Sequence, residues 1–161
     1  MNIEYQIILK EGITDSHRTT FAQLLKEQGK VKEDLNLKAD RCKLIGFVIL
    51  DGRAIGCGGI KVKTLSDFSR EKANLPDESQ NFDWELGYIY TKPDYSGKGI
   101  ASILISNLIS EYGDENIMAS TEISANPGMV RLLEKNGFRH YGSPWKSGIH
   151  SNYLGLFLRY K

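Results

Sequence analysis

The chain has 161 residues, 40% apolar and 25% charged, enough to bury a core without metal or disulfide staples. Its 21 Lys and Arg nearly cancel its 20 Asp and Glu, leaving a net charge of +1, so no overall field gathers nucleic acid or an anionic membrane. Cys42 and Cys57 fit neither a metal spacing nor a disulfide framework, which implies a reduced protein with both thiols buried as small hydrophobes.

The longest apolar stretch, Leu44 to Leu50, is broken by Gly46 and falls far short of the ~20 residues of a membrane span. The first nine residues lack a basic start and a long apolar run, so they read as a strand and the expected compartment is the cytoplasm. With no internal repeat, no low-complexity tract and scattered prolines, residues 1–161 read as one domain.

Ile3, Tyr5, Ile7 and Leu9 alternate with more polar neighbours, predicting a first strand. Phe21, Leu24, Leu25 and Gln28 then fall on one helical face, in a helix opened near Thr14 or Asp15 and stopped at Gly29. A short second helix is expected over Val31 to Leu37. Lys43 to Leu50 and Ala54 to Val62 flank Asp51-Gly52, a two-residue hairpin signal, and predict an antiparallel pair. Thr64 to Asp83 is polar and aperiodic, and reads as a long loop, either functional or a disordered insertion. Trp84 to Thr91 predicts a strand, and Ile100 to Tyr112 a well-buried helix ended by Gly113. Ile117 to Ile123 predicts a strand; Asn126-Pro127 caps a helix that stops at Gly137, and Phe138 to Trp145 and Tyr153 to Tyr160 close the chain as strands. The order predicts an α/β (α+β) fold, a mixed central sheet of about seven strands with helices on both faces.

The chemically loudest segment is Tyr90-Thr91-Lys92-Pro93-Asp94-Tyr95-Ser96-Gly97-Lys98-Gly99-Ile100-Ala101, a strand entering a helix through a glycine turn. Gly97 and Gly99 let successive backbone N–H groups converge, the following helix dipole favours phosphate, and Lys98 adds a mobile charge. A dinucleotide fingerprint fails, because Ser102 stands where a third glycine or alanine belongs. A Walker loop fails because Gly99, and not Ser or Thr, follows Lys98.

Glu85 to Thr91, Pro93 to Ala101, and Asn126 through Leu132-Leu133-Glu134-Lys135-Asn136-Gly137-Phe138 together resemble the two signature motifs of the GNAT family of acetyl-CoA-dependent N-acetyltransferases. The resemblance implies a GNAT-like acyl-CoA N-acyltransferase fold, acetyl-CoA as co-substrate and an amine-bearing small molecule or protein as acceptor, with direct attack in a ternary complex. It implies neither a metal nor a nucleic acid or membrane partner; a homodimer is compatible with it. By the same resemblance, backbone N–H groups from Gly97, Lys98, Gly99, Ile100 and Ala101 hold the pyrophosphate. Ile89, Tyr90 and Thr91 pair with the pantetheine arm where the strand splays at a bulge, and Asn126 contacts that arm.

Two residues depart from the family pattern. Ser96 stands near a common arginine, and Leu133 stands where many members carry the tyrosine that protonates the departing thiolate. Tyr90, Tyr141 and Tyr153 are the candidate replacements. An alkylamine of pKa ~10 must lose a proton before it attacks, and Glu85 is the first candidate base, with Glu122 second. A backbone N–H near Tyr90 would meet the developing oxyanion. His17, His140 and His150 pair with no nucleophile and read as ordinary polar residues. Trp84, Trp145 and Phe68 are candidate walls of an acceptor pocket, and the acidic 64–83 loop a candidate overhang favouring a cationic amine. The alternative function is a catalytically weak CoA-binding module of the same fold.

Overall fold

Alternating apolar residues become strand register in the computed structural model, which describes Asn2 to Ile149 and Ser151 to Lys161. Met1 and His150 lie outside the described residues. Seven strands run β1 (Ile3–Leu9), β2 (Cys42–Leu50), β3 (Arg53–Val62), β4 (Trp84–Thr91), β5 (Ile117–Glu122), β6 (Arg139–Lys146) and β7 (Tyr153–Arg159), in the sheet order β1-β2-β3-β4-β5-β7-β6. The sheet is mixed: β4 runs parallel to β5, while β1–β2, β2–β3, β5–β7 and β6–β7 are antiparallel. The chain divides into two compact units, residues 1–62 with 86–113 and residues 63–85 with 114–161. Strand β4 passes from the second into the first between Glu85 and Leu86.

In the first unit the hairpin forms as expected. Asp51 and Gly52 have φ of 49° and 83°, the left-handed pair that a two-residue turn matched to strand twist requires. Helix α1 (Asp15–Gln28) opens on a reciprocal cap in which His17 N–H donates to Thr14 Oγ1 and Thr14 N–H to His17 Nδ1. Its buried Phe21, Leu24 and Leu25 pack with Ile45, Phe47 and Cys57. Helix α2 (Ile100–Tyr112) covers the opposite face of β2 and β3, where a Cβ on Gly46 would stand 2.8 Å from Leu104 Cδ1 and one on Gly58 3.1 Å from Leu108 Cδ1 and 2.6 Å from Ile89 Cδ1 of β4. Those contacts are too tight for any side chain, so the two glycines set how closely helix and strands approach.

The expected helix over Val31 to Leu37 does not form. Two 3-10 turns, Leu35–Leu37 and Ala39–Arg41, replace it, with Asp34 left-handed at φ 51°. A segment this short recovers too few backbone bonds to repay helix nucleation.

In the second unit, the 64–83 segment is neither a disordered insertion nor a solvated loop. It forms 3-10 turns at Leu65–Phe68 and Glu78–Asn81 and buries Phe68, Ala73 and Phe82 with Met118, Trp145, Leu156 and Leu158. Ala73 N–H donates to Asp67 C=O, Leu75 N–H to Phe68 C=O, and Ser143 N–H to Ala73 C=O. Phe68 and Trp145 are therefore core residues and not pocket walls. Buried Asp67 faces Lys72 Nζ at 3.7 Å, so it offers no free charge to an acceptor. Helix α3 (Pro127–Lys135) follows the expected cap, with Asn126 Oδ1 accepting from Met129 N–H at 3.2 Å. His140 is an exposed residue of β6 whose ring lies 5.4 Å from that of Phe157.

Both cysteines are free and buried. Loss of solvent pushes the Cys42 thiol up to about 12 and raises Cys57 further. Neither thiol is expected to react with a disulfide reagent at pH 8 until the chain is unfolded in denaturant, when both should titrate. Phe68→Ala should lower stability by about 3–5 kcal/mol, read from urea unfolding, because its site is filled core and not loop.

Candidate active site

Strand β4 ends at Thr91, a short 3-10 turn follows over Pro93–Tyr95, and residues 96–99 lead into α2. Gly97 and Gly99 both take left-handed backbone, φ 75° and 80°, with open space where a Cβ would be. A side chain at either position would be strained regardless of room. Gly99 is the N-cap of α2, and Ile103 N–H donates to its C=O at 3.2 Å. Residues 97–101 carry five successive main-chain N–H groups through this turn. The first turn of α2 carries no acidic residue, and Lys98 is exposed beside it. Adjacent main-chain donors at the positive end of a thirteen-residue helix form a cradle suited to a phosphate group. Ser96, where the family motif commonly has arginine, turns its hydroxyl back to Pro93 C=O at 2.9 Å.

Upstream, Tyr88 has φ 59°, a conformation that costs an aromatic residue about 1–3 kcal/mol. Packing holds it there: the Tyr88 ring meets Phe21 edge-on at 5.7 Å, Lys61 Nζ lies 5.7 Å from its centroid, and Cys57 Sγ–H approaches Tyr88 C=O at 3.5 Å. The irregular backbone therefore sits immediately before Ile89, Tyr90 and Thr91. Ile89 C=O accepts from Gln28 Nε2 at 2.9 Å.

Tyr90 turns toward α1, and its hydroxyl donates to Glu27 Oε2 at 3.5 Å, while Glu27 Oε1 pairs with Lys92 Nζ at 3.4 Å. Partial burial, then the nearby Glu27 carboxylate, raises the Tyr90 hydroxyl above its ordinary value. Glu27 also lines an open groove of about 1130 Å³ between α1 and the segment after it, with Ala22, Gln23, Lys26, Lys32 and Leu35.

Ile89, Tyr90, Thr91 and Gly97 to Ala101 thus lie together in the first unit, whereas Glu85 and Asn126 belong to the second. Glu85 is buried on β4, not on the surface, and its Oε1 accepts from both Thr64 N–H (2.8 Å) and Thr64 Oγ1 (2.7 Å). It is also the β4 residue paired with β5, opposite Met118. Asn126 is half-buried and acts as a helix cap. Glu122 receives Asn152 Nδ2 at 3.5 Å. Leu133 is buried and carries no proton donor, and Tyr141 and Tyr153 are exposed. Among the described residues, no cluster of His, Cys, Asp and Glu is placed to hold a metal ion, and no helix is long and apolar enough to cross a membrane.

Glu27 and Gln28 escape a reading of the sequence. Gln28 had a signal, since it falls on the apolar stripe of α1, where a polar side chain needs a partner. Glu27 had none, because it resembles any charged residue near a helix end.

A mixed sheet whose strand β4 leads through a two-glycine turn into α2 defines an α/β protein. Residues 9–138 match the acetyltransferase (GNAT) family model, and the chain belongs to that family. Among solved structures, it is similar to Escherichia coli ElaA at TM-score 0.71 and 12% identity, covering 98% of this chain and 99% of that one. The ribosomal-protein-S18-alanine N-acetyltransferase of Escherichia coli matches at TM-score 0.66 and 13% identity over 97% and 93%. Arabidopsis thaliana NAA60, solved with a bisubstrate analogue, matches at TM-score 0.65 and 14% identity over 98% and 97%. At these identities the likeness is one of fold. No curated protein sequence matches the chain.

Because a neighbouring negative charge disfavours phenolate, Glu27→Gln should lower the ionisation midpoint of Tyr90 without returning it fully to the free value. NMR titration of ring-labelled tyrosine, with Tyr90→Phe to assign the resonance, reads this directly.

Proposed function

We propose that residues 1–161 act as one acetyltransferase domain that moves an acetyl group from acetyl-CoA to a primary amine by direct attack in a ternary complex. The observation that carries this reading is the cradle from Gly97 to Ala101, with adjacent N–H donors and left-handed glycines that keep side chains out of the way. Membership of the acetyltransferase (GNAT) family supports it.

In this reading, N–H groups of Gly97, Lys98, Gly99, Ile100 and Ala101 hold the pyrophosphate, with Lys98 adding charge at the rim. Ile89, Tyr90 and Thr91 offer main-chain groups to the pantetheine arm, and Asn126 combines its capping role with a contact to that arm. The bound thioester supplies an activated acetyl group and a leaving thiolate. Glu85 receives the proton of the acceptor ammonium at Oε1 or Oε2, directly or through water. Its burial and the two Thr64 donors keep the carboxylate oriented for that task. Tyr90 is the proposed proton donor in place of the tyrosine that Leu133 lacks. Its raised ionisation keeps the hydroxyl protonated at neutral pH, and Glu27 orients it.

Gly99→Glu places bulk, strain and negative charge in the cradle and should raise the CoA dissociation constant by at least about tenfold, measured by calorimetry. Unchanged affinity would remove the turn from the cofactor site. Glu85→Gln keeps an oxygen for Thr64 but cannot take a proton. It should cut turnover on amines by about 10²- to 10⁴-fold, with CoA affinity preserved. The buried Leu133 favours a second reading, a CoA-binding module with little catalysis. Tight CoA binding without thiol release on any amine would select it.

A further inference from the structure

The groove beside α1 is not used by the roles assigned above, yet it adjoins them through one side chain. Glu27 lines it, accepts the Tyr90 hydroxyl with one oxygen and pairs with Lys92 through the other, and its side chain is 36% exposed. A carboxylate held from two sides and still open to solvent is oriented, and retains room for a third donor. The groove floor includes Ala22, Val31 and Leu35, and its other charged lining groups are Lys26 and Lys32. Around Glu27, the charged or titratable groups are Lys26 on its own helix, Lys32 after it, Tyr90 and Lys92 from β4 and the residue that follows, and the buried, neutral Cys57 thiol of β3. Three lysines against one glutamate leave the neighbourhood cationic, opposite in sign to an acidic rim built for polyamines.

Resting on the acetyltransferase reading, we propose that this groove is the acceptor site and that the acceptor is an amino acid-like molecule: an ammonium group oriented at Glu27 beside Tyr90, an apolar stem on Ala22, Val31 and Leu35, and a carboxylate held by Lys26 and Lys32. Glu27 binds and orients the ammonium. The charge pattern discriminates in both directions. A diamine brings a second cation to Lys26 and Lys32, and a plain alkylamine leaves them without a partner.

The test uses the full chain, acetyl-CoA and three amines matched in length: 6-aminohexanoate, n-hexylamine and 1,6-diaminohexane, followed by thiol release. The expected kcat/KM for 6-aminohexanoate exceeds the other two by about tenfold or more, the scale of one charge-assisted contact. Combined Lys26→Ala and Lys32→Ala should bring the ratio of 6-aminohexanoate to n-hexylamine close to one. Glu27→Gln should raise KM for 6-aminohexanoate by about tenfold, with a smaller change in kcat and CoA affinity held within about twofold; Glu27→Asp should recover part of the loss. Preference for the diamine, a ratio insensitive to the two lysines, or an unmoved KM in Glu27→Gln overturns the proposal. If CoA binds but no amine is acetylated, the acetyltransferase reading fails on its own, and amide NMR of the CoA-saturated protein decides the groove. Shifts at Gln23, Glu27 and Lys32 on adding 6-aminohexanoate, lost in the double lysine variant, sustain it as an amino acid site; absence of those shifts overturns it.

Discussion

The packing of α2 against β2 and β3 is the constraint on which the site depends. Ile100, Leu104, Ile105 and Leu108 are buried along that helix, and Gly46 and Gly58 bring the strands close enough for the leucines to fill the space above them. Because α2 begins one residue after Gly99, fixing its axis fixes the direction of the N–H groups that precede its first hydrogen bond. Burial of an apolar face thus does the work of orientation, and the cradle needs no side-chain donor of its own. This is why a chain with a net charge of +1 is compatible with the proposed pyrophosphate site: the charge offered there is partial, and belongs to the backbone.

Glu85 and Glu27 show how differently the fold can surround one kind of side chain. Glu85 is buried and has one oxygen occupied by Thr64, from a segment whose aromatic residues pack in the core of the second unit. Glu27 is exposed at the end of α1, aimed by Tyr90 and Lys92, and open to a groove. The proposed roles follow that difference: proton transfer needs a fixed and shielded carboxylate, whereas recognition of a charged ligand needs one that the ligand can reach from water and leave again.

Irregular segments were the least legible part of the sequence. From Thr64 to Asp83 no period marks burial, because 3-10 turns and single buried residues at Phe68, Ala73 and Phe82 leave no repeat to detect. Val31 to Leu37 failed in the opposite sense, since scattered apolar residues there imitate a helix that is too short to nucleate. Glu27 and Tyr90 lie sixty-three positions apart, and no local pattern links them.

Strand alternation, helix stripes, the Asp51-Gly52 turn, the Asn126 cap and the two-glycine turn are local effects, each governed by a few neighbouring residues, so the sequence alone determined the seven-stranded mixed fold and the glycine turn that opens α2. It also showed that the family's usual tyrosine is absent at Leu133. Only tertiary structure decided that Phe68 and Trp145 are core and Glu85 is buried under Thr64, and that Glu27 aims Tyr90 and opens a groove beside it. Those outcomes depend on which distant residues exclude water from one another, a property of packed surfaces that no window of sequence contains.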